Sequence, residues 1–252
     1  MDLKLRGKRA LVTGSSRGIG RAIALSLADF KVDVAINYLR HRRRAEETAR
    51  EIEARGGNAL VVKGNVANPD HVKALYDTIG ERWGGLEILV SNAASGVIRP
   101  ASELTLHHFH WTMEINAAAL LPLVQGFVAL PAEGSKAVVA VSSLGAIRAI
   151  RNYTAVGASK AALESMVRHL AAEYAPFGVR INAVSAGTVD TDALTHFPNR
   201  EELLAATRDR TPAGRLLDPQ DVANSVVFLC TEFASMIHGQ ILVVDGGYSI
   251  VA

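Results

Sequence analysis

Cysteine is almost absent from this 252-residue chain: Cys230 stands alone. That excludes an intrachain disulfide and a cysteine-rich zinc site. Cys230 lies in the apolar run Val-Val-Phe-Leu-Cys and reads as a buried structural thiol. Charge of one sign is also lacking. A formal net charge of +2 makes no general case for nucleic-acid binding. No apolar run reads as long enough to span a bilayer, and the first residues contain no apolar signal core. A soluble, cytoplasmic protein is therefore expected. Internal repeats and low-complexity linkers are absent. His107, His108 and His110 cluster near Trp111, but no cysteine or carboxylate pattern completes a zinc site, so a surface helix without metal is expected.

What is present is alternation. The composition, 49% hydrophobic and 21% charged, suits one large domain over residues 1–252. Strands are expected at Arg9–Thr13, Val32–Asn37, Ala59–Lys63, Ile88–Ser91, Ala137–Ser142, Arg180–Val184 and Gln240–Val244. Several are apolar throughout, as in strands covered on both faces. Helices are expected at Gly18–Phe30, Arg42–Arg55, Pro69–Trp83, Ser102–Leu130, Tyr153–Ala175 and Pro219–Thr231, with Pro69 and Pro219 in first turns. The alternation predicts an α/β fold: a single doubly wound, Rossmann-like domain on a mainly seven-stranded parallel sheet. Thr191–Arg215 interrupts the rhythm. It is polar, holds two prolines and is expected to be a substrate lid.

Thr13-Gly14-Ser15-Ser16-Arg17-Gly18-Ile19-Gly20 joins the first strand to the first helix. Such a turn needs residues without Cβ, and the helix N-terminus offers unpaired N–H groups to a pyrophosphate. Gly14, Ser16, Arg17, Gly18, Ile19 and Gly20 are therefore cofactor-binding candidates. No acidic residue occurs from position 34 to 45, where a carboxylate would bind the ribose 2′-hydroxyl of NAD. Arg17 and Arg40 suit the 2′-phosphate instead, so NADPH is the expected cofactor. Two of Arg42, Arg43 and Arg44 are expected simply to be solvated at a helix start.

These features resemble the short-chain dehydrogenase/reductase superfamily over nearly the whole chain. By that resemblance, Asn92 in Asn92-Ala93-Ala94 supports the adenine side of the cofactor. Asn65-Val66 and Val189 also lie on the cofactor side, and Asn116 supports the active-site lysine through water. Asp245-Gly246-Gly247 matches a C-terminal signature that shapes the fold. Ser91 and Ala94 depart from the family's Asn-Asn-Ala-Gly motif.

Tyr153 and Lys160 are seven positions apart, and Val156 occupies the site four before the lysine where the main branch has its tyrosine. On an α-helix a seven-residue offset rotates the tyrosine by only about 20°, so the two share a face. It also separates their Cα atoms by about 10 Å along the axis, against about 6 Å for four residues. That arrangement favours conjugate reduction, in which hydride adds at C3 while charge develops on the carbonyl oxygen at C1. The sequence resembles the enoyl-acyl-carrier-protein reductase branch with its Tyr-x6-Lys signature, most closely type III. The matching segments are Ser91–Val97, Ser142–Gly145, Asn152–Gly157, Asp190–Leu194 and His196–Glu201.

This resemblance implies that Tyr153 stabilises an enolate and Lys160 binds the nicotinamide ribose. Ser143, seventeen residues before the lysine, is either an auxiliary donor or a packed hydroxyl. The implied substrate is an enoyl thioester on acyl carrier protein, and the implied assembly is a homotetramer. Arg99, Arg148, Arg151, Arg200, Arg208 and Arg215 either steer an acidic carrier or are solvated surface charge. Two other readings remain: a 3-oxoacyl or other carbonyl reductase, and a noncatalytic NADP-binding regulator.

Overall fold

The computed structural model describes residues 3–191 and 200–251. Seven strands form one sheet: β1 (Arg9–Val12), β2 (Asp33–Tyr38), β3 (Ala59–Lys63), β4 (Ile88–Ser91), β5 (Lys136–Ser143), β6 (Val179–Ala186) and β7 (Ile241–Val244). Their order is β3-β2-β1-β4-β5-β6-β7, and every pairing is parallel. The strand order reverses between β1 and β4. In open parallel sheets that switch leaves a crevice at the carboxyl ends of the strands, and ligands bind there.

Helices cover both faces because the strands are apolar on both. On one face, α1 (Gly18–Asp29), α2 (Arg42–Ala54) and α8 (Pro219–Cys230) build a core with Val12, Ile36, Val90 and Val139. On the other, α3 (Pro69–Trp83), α5 (Leu120–Ala129) and α6 (Thr154–Tyr174) close over Leu11, Leu89, Val138 and Ile181. Cys230 is buried, and burial pushes its thiol up to about 12, so it is inert packing. Pro69 and Pro219 both stand in first turns, beside capping Asn68 and Asp218.

One expected helix needs correction. Ser102–Leu130 is not one uniform helix. A 3-10 turn (Ala101–Glu103) precedes α4 (Leu106–Met113), and a π-turn at Glu114–Ala118 separates α4 from α5. Thr105 caps α4 by accepting from His108 N (3.2 Å), while His108 Nδ1 accepts from Thr105 N (3.3 Å). His108 is thus part of a capping box, and the described residues contain no cluster able to hold a metal. The run Leu106–Ala129 is also long and apolar enough, by length and composition, to cross a membrane. Its Leu120, Leu123, Val124 and Phe127 pack into the second core instead.

The segment 191–215, expected as a substrate lid, carries a helix of its own. It contains α7 (Arg200–Arg210), with Glu201 and Glu202 in the first turn and Arg208 and Arg210 in the last. That charge order complements the helix dipole. A parallel bridge between Val189 and Leu217 closes the base of the segment. Asp192, Ala193, Leu194 and His196–Asn199, which carry part of the resemblance, lie outside the described residues.

Candidate active site

The glycine turn is held from below by side chains at the carboxyl ends of β1, β2 and β4, of which Thr13 and Asn37 are buried. Thr13 Oγ1 accepts from the N–H groups of Asn92 (2.9 Å) and Ala93 (3.0 Å). Asn92 Nδ2 donates to the carbonyls of Thr13 (2.9 Å) and Gly14 (3.2 Å). Asn92 therefore fixes the turn from behind through its side-chain NH2. Gly14 and Gly18 have φ of +63° and +55°, which L side chains resist. A Cβ on Gly14 would lie 2.9 Å from Ala93 Cα, and one on Gly20 would run into Asn92 Nδ2. The bare backbone leaves room for a pyrophosphate at the start of α1, so the cradle fits a dinucleotide. Ser16, Arg17 and Gly18 line the cleft there, and Ile19 packs against the first core.

Asn37 is a site residue that the sequence reading passed over. It is buried at the end of β2, where Oδ1 accepts from Gly14 N (3.3 Å) and Nδ2 donates to Gly64 O (3.1 Å). One amide thus ties the glycine turn to the loop after β3. A carboxylate there could not donate to Gly64. In that loop, Asn65 Oδ1 accepts from Ala67 N (3.1 Å) and Val66 is buried in the second core.

Arg42 and Arg43 pair with Glu46 (2.7 Å) and Glu47 (3.1 Å) one turn on, as ordinary helix-surface ion pairs. Arg44 instead lines the cleft with Arg17, Arg21, Glu47, Glu51, Asp190 and Thr191. Arg40 is exposed beyond β2 and is not among the residues lining that cleft. Val189 is buried at the base of the 191–215 segment.

Tyr153 lies one residue outside α6, with φ −108° and ψ 12°. The preceding Asn152 has φ +63°, a left-handed turn that asparagine tolerates, and its carbonyl accepts from Arg99 N (3.1 Å). This turn, rather than helix periodicity alone, aims the phenol ring. The ring packs on Gly145, where a Cβ would collide with it. Tyr153 Oη donates to Ser143 Oγ at 3.4 Å, and Ser143 Oγ also accepts from Gly145 N (3.2 Å). Burial raises the Tyr153 pKa, only partly offset by the Ser143 contact, so the phenol is protonated at neutral pH.

Val156, at the four-residue offset, is buried and packed so closely on Gly96 that a Cβ there would strike it. A larger side chain kept in the valine's direction would press on Gly96. The Tyr-x6-Lys spacing is therefore built into the packing.

Lys160 is buried and donates to the Val141 carbonyl (2.8 Å). Burial lowers its pKa to about 8, against a raising influence from Glu164. Asn116 sits in the π-turn, a feature frequent at functional sites. Its Oδ1 accepts from Ser95 N (2.8 Å) and its Nδ2 donates to Ser159 Oγ (3.0 Å), beside Lys160. Asp245 accepts from Gly247 N and Ser249 N (both 2.8 Å) and so shapes the C-terminal turn. Of the six arginines considered for carrier steering, Arg148 is engaged with Ser249 O, Arg200 with Asp190 and Arg215 with Asp221.

Comparison with known proteins places this geometry. Residues 14–249 match a family model described as Enoyl-(Acyl carrier protein) reductase. The chain is 40% identical over 249 residues to a 1-cyclohexenylcarbonyl-CoA reductase of Streptomyces collinus, covering 98% of this chain and 89% of that protein. It is 35% identical to the Enoyl-[acyl-carrier-protein] reductase [NADH] FabI of Aquifex aeolicus, covering 98% and 93%. A short-chain dehydrogenase from Burkholderia cenocepacia, solved in complex with NADP, superposes with a TM-score of 0.90 at 35% identity, covering 98% and 99%. The chain belongs to the short-chain dehydrogenase/reductase superfamily of oxidoreductases.

Proposed function

We propose that this protein uses NADPH to reduce the trans-2 double bond of enoyl thioesters carried on acyl carrier protein, a step of fatty-acid synthesis. The observation that carries the reading is the Tyr153–Lys160 spacing, with buried Val156 filling the four-residue position. In conjugate reduction, the carbon receiving hydride is two atoms from the carbonyl carbon. The hydroxyl that stabilises the carbonyl oxygen must then stand farther from the nicotinamide than in ketone reduction. The descriptions of the matching family and of the Aquifex relative support this reaction class. The Streptomyces relative's name denotes a thioester whose ring double bond is conjugated with its carbonyl.

In this reading, Tyr153 Oη donates to the thioester oxygen as negative charge develops there. In the free protein that proton points to Ser143 Oγ at 3.4 Å, and it turns from Ser143 to the substrate oxygen when the thioester binds. Lys160 binds the nicotinamide-ribose hydroxyls, and Asn116 steadies the adjacent turn of α6 through Ser159. The glycine-turn residues and Lys160 would hold the dinucleotide, which when bound would supply the hydride for C3, with a proton taken up at C2 to complete the reduction.

NADPH is favoured over NADH by Arg17 and Arg44 beside the cradle and by Asn37, rather than a carboxylate, at the end of β2. The FabI relative's name specifies NADH, so comparing kcat/KM for the two nucleotides tests this part directly. A homotetramer accompanies the reading, and exposed Leu242, Val243, Phe233 and Met236 supply apolar surface for assembly. Sedimentation velocity would report the subunit number.

One observation favours a second reading. The Ser143 and Tyr153 hydroxyls converge, as two donors to a single ketone oxygen would. Parallel assays with crotonyl and acetoacetyl thioesters, each on carrier protein and on CoA, separate these reactions and identify the carrier. NADPH consumption with acetoacetyl substrates alone would establish the carbonyl reductase.

A further inference from the structure

Glu164 is a buried carboxylate with no part in the reaction described above. It lies one helical turn beyond Lys160 on α6, about 6 Å farther along the axis. Only 6% of each residue is exposed. Burying a carboxylate costs free energy unless it is hydrogen-bonded or paired. Ser142 Oγ donates to Glu164 Oε1 at 2.7 Å within the buried interior. Ser142 directly precedes Ser143 on β5 and pairs in register with Ser185 of β6. The same strand presents the Val141 carbonyl to Lys160 Nζ at 2.8 Å. Adjacent β5 residues thus hold the lysine by one backbone group and the carboxylate by one hydroxyl.

We infer that Glu164 is a positioning residue for Lys160: held by Ser142, its carboxylate is the counter-charge that keeps the lysine an ammonium in this buried site. The inference rests on the assignment of Lys160 to the reductase site and extends it to a residue that touches neither cofactor nor substrate. Among the described residues, the surrounding elements leave Glu164 as the charged group that fills this role. From β5, β6 and the π-turn come Ser142, Ser143, Ser185 and Asn116, which do not titrate. From the start of α6 comes Tyr153, whose phenol is neutral at the relevant pH. On α4, His108 is occupied in the capping box at the helix start, and Glu114 just beyond that helix is exposed. Burial works against the ammonium, and Glu164 is the charge that opposes it.

The test uses the cofactor-free protein and reads lysine ionisation directly. Competitive trace acetylation across neutral to alkaline pH, with the Lys160 peptide quantified by mass spectrometry, should show an inflection near about 8 in the wild type. In Glu164→Gln, which preserves shape and an acceptor for Ser142, the inflection should move down by about one pH unit. Glu164→Asp should recover part of the shift. Superimposed wild-type and Glu164→Gln titrations, with the variant folded by circular dichroism, would overturn the assignment.

A stability cycle covers the case in which Glu164→Gln folds poorly. Lys160→Met strands the carboxylate, so adding Glu164→Gln to that variant should raise its melting temperature. Strictly additive losses would also overturn the assignment. Neither readout involves substrate, so failure of the enoyl-thioester proposal would leave both results intact and would be recognised separately by absent turnover.

Discussion

Replacing Tyr153 by Phe removes a single oxygen and leaves the ring where it packs, between the loop at Gly145 and the first turn of α6. The hydroxyl meets Ser143 Oγ at 3.4 Å, long for an O–H···O bond. Losing so weak a contact should change stability by under about 1 kcal/mol. Catalysis should respond far more. A donor aimed at a developing oxyanion is worth about 10²–10³ in kcat, or roughly 3–4 kcal/mol. The variant should therefore melt within a few degrees of wild type and bind NADPH with unchanged affinity. Its kcat on crotonyl thioester, followed by NADPH consumption, should fall by about two to three orders of magnitude. Lys160 continues to hold its place through Val141 in this variant, so cofactor binding serves as the internal control. Undiminished turnover in a folded Tyr153→Phe protein would refute the proposed donor role.

Other consequences follow from the same geometry. Val156→Tyr should not restore a four-residue pair: the ring must displace Gly96, and overpacking of this kind costs about 1–3 kcal/mol, visible as a lower urea midpoint. Arg44→Ala should weaken NADPH binding by about tenfold or more while leaving NADH binding unchanged, because a charge-assisted bond to the 2′-phosphate is worth about 1.5–3 kcal/mol. Equal losses for both nucleotides in titrations followed by fluorescence would remove Arg44 from that subsite. Glu87, which is 1% exposed, accepts from Arg9 Nη2, Nε and N and from Glu133 N, and these bonds lower its pKa. A depressed carboxylate pKa contributes stability that is present above the unfolded value and lost as pH falls through the folded one. Urea midpoints should therefore drop on acidification below about pH 4.5, the ordinary glutamate value. Glu87→Gln should cost about 3 kcal/mol at neutral pH and flatten the acid slope.

The sheet was legible because buried parallel strands are written as short apolar runs, and all seven occur within a few residues of their expected places. Pro69 and Pro219 marked helix starts correctly because proline's missing N–H costs nothing in a first turn. The π-turn at Glu114–Ala118 was illegible. The apolar pattern continues through it, and what selects it is the tertiary network joining Asn116 to Ser95 and Ser159. Tyr153 was expected to begin its helix, but the left-handed turn at Asn152 leaves it just outside. Among the basic residues after β2, sequence order favoured Arg40, whereas helix rotation brings Arg44 to the cleft and spends Arg42 and Arg43 on surface pairs. Glu164 carried a faint signal, four residues after Lys160. It was passed over in the sequence analysis, and the burial of both residues is what distinguishes it from an ordinary exposed helix pair.

Side-by-side steady-state kinetics on crotonyl and acetoacetyl thioesters of acyl carrier protein, with NADPH, test the central claim most directly. The Tyr153–Lys160 geometry predicts oxidation of NADPH with the crotonyl substrate and a saturated butyryl product, with much lower kcat/KM for acetoacetyl. Preferential reduction of the ketone would contradict that account and would assign the converging Ser143 and Tyr153 hydroxyls to a carbonyl reductase.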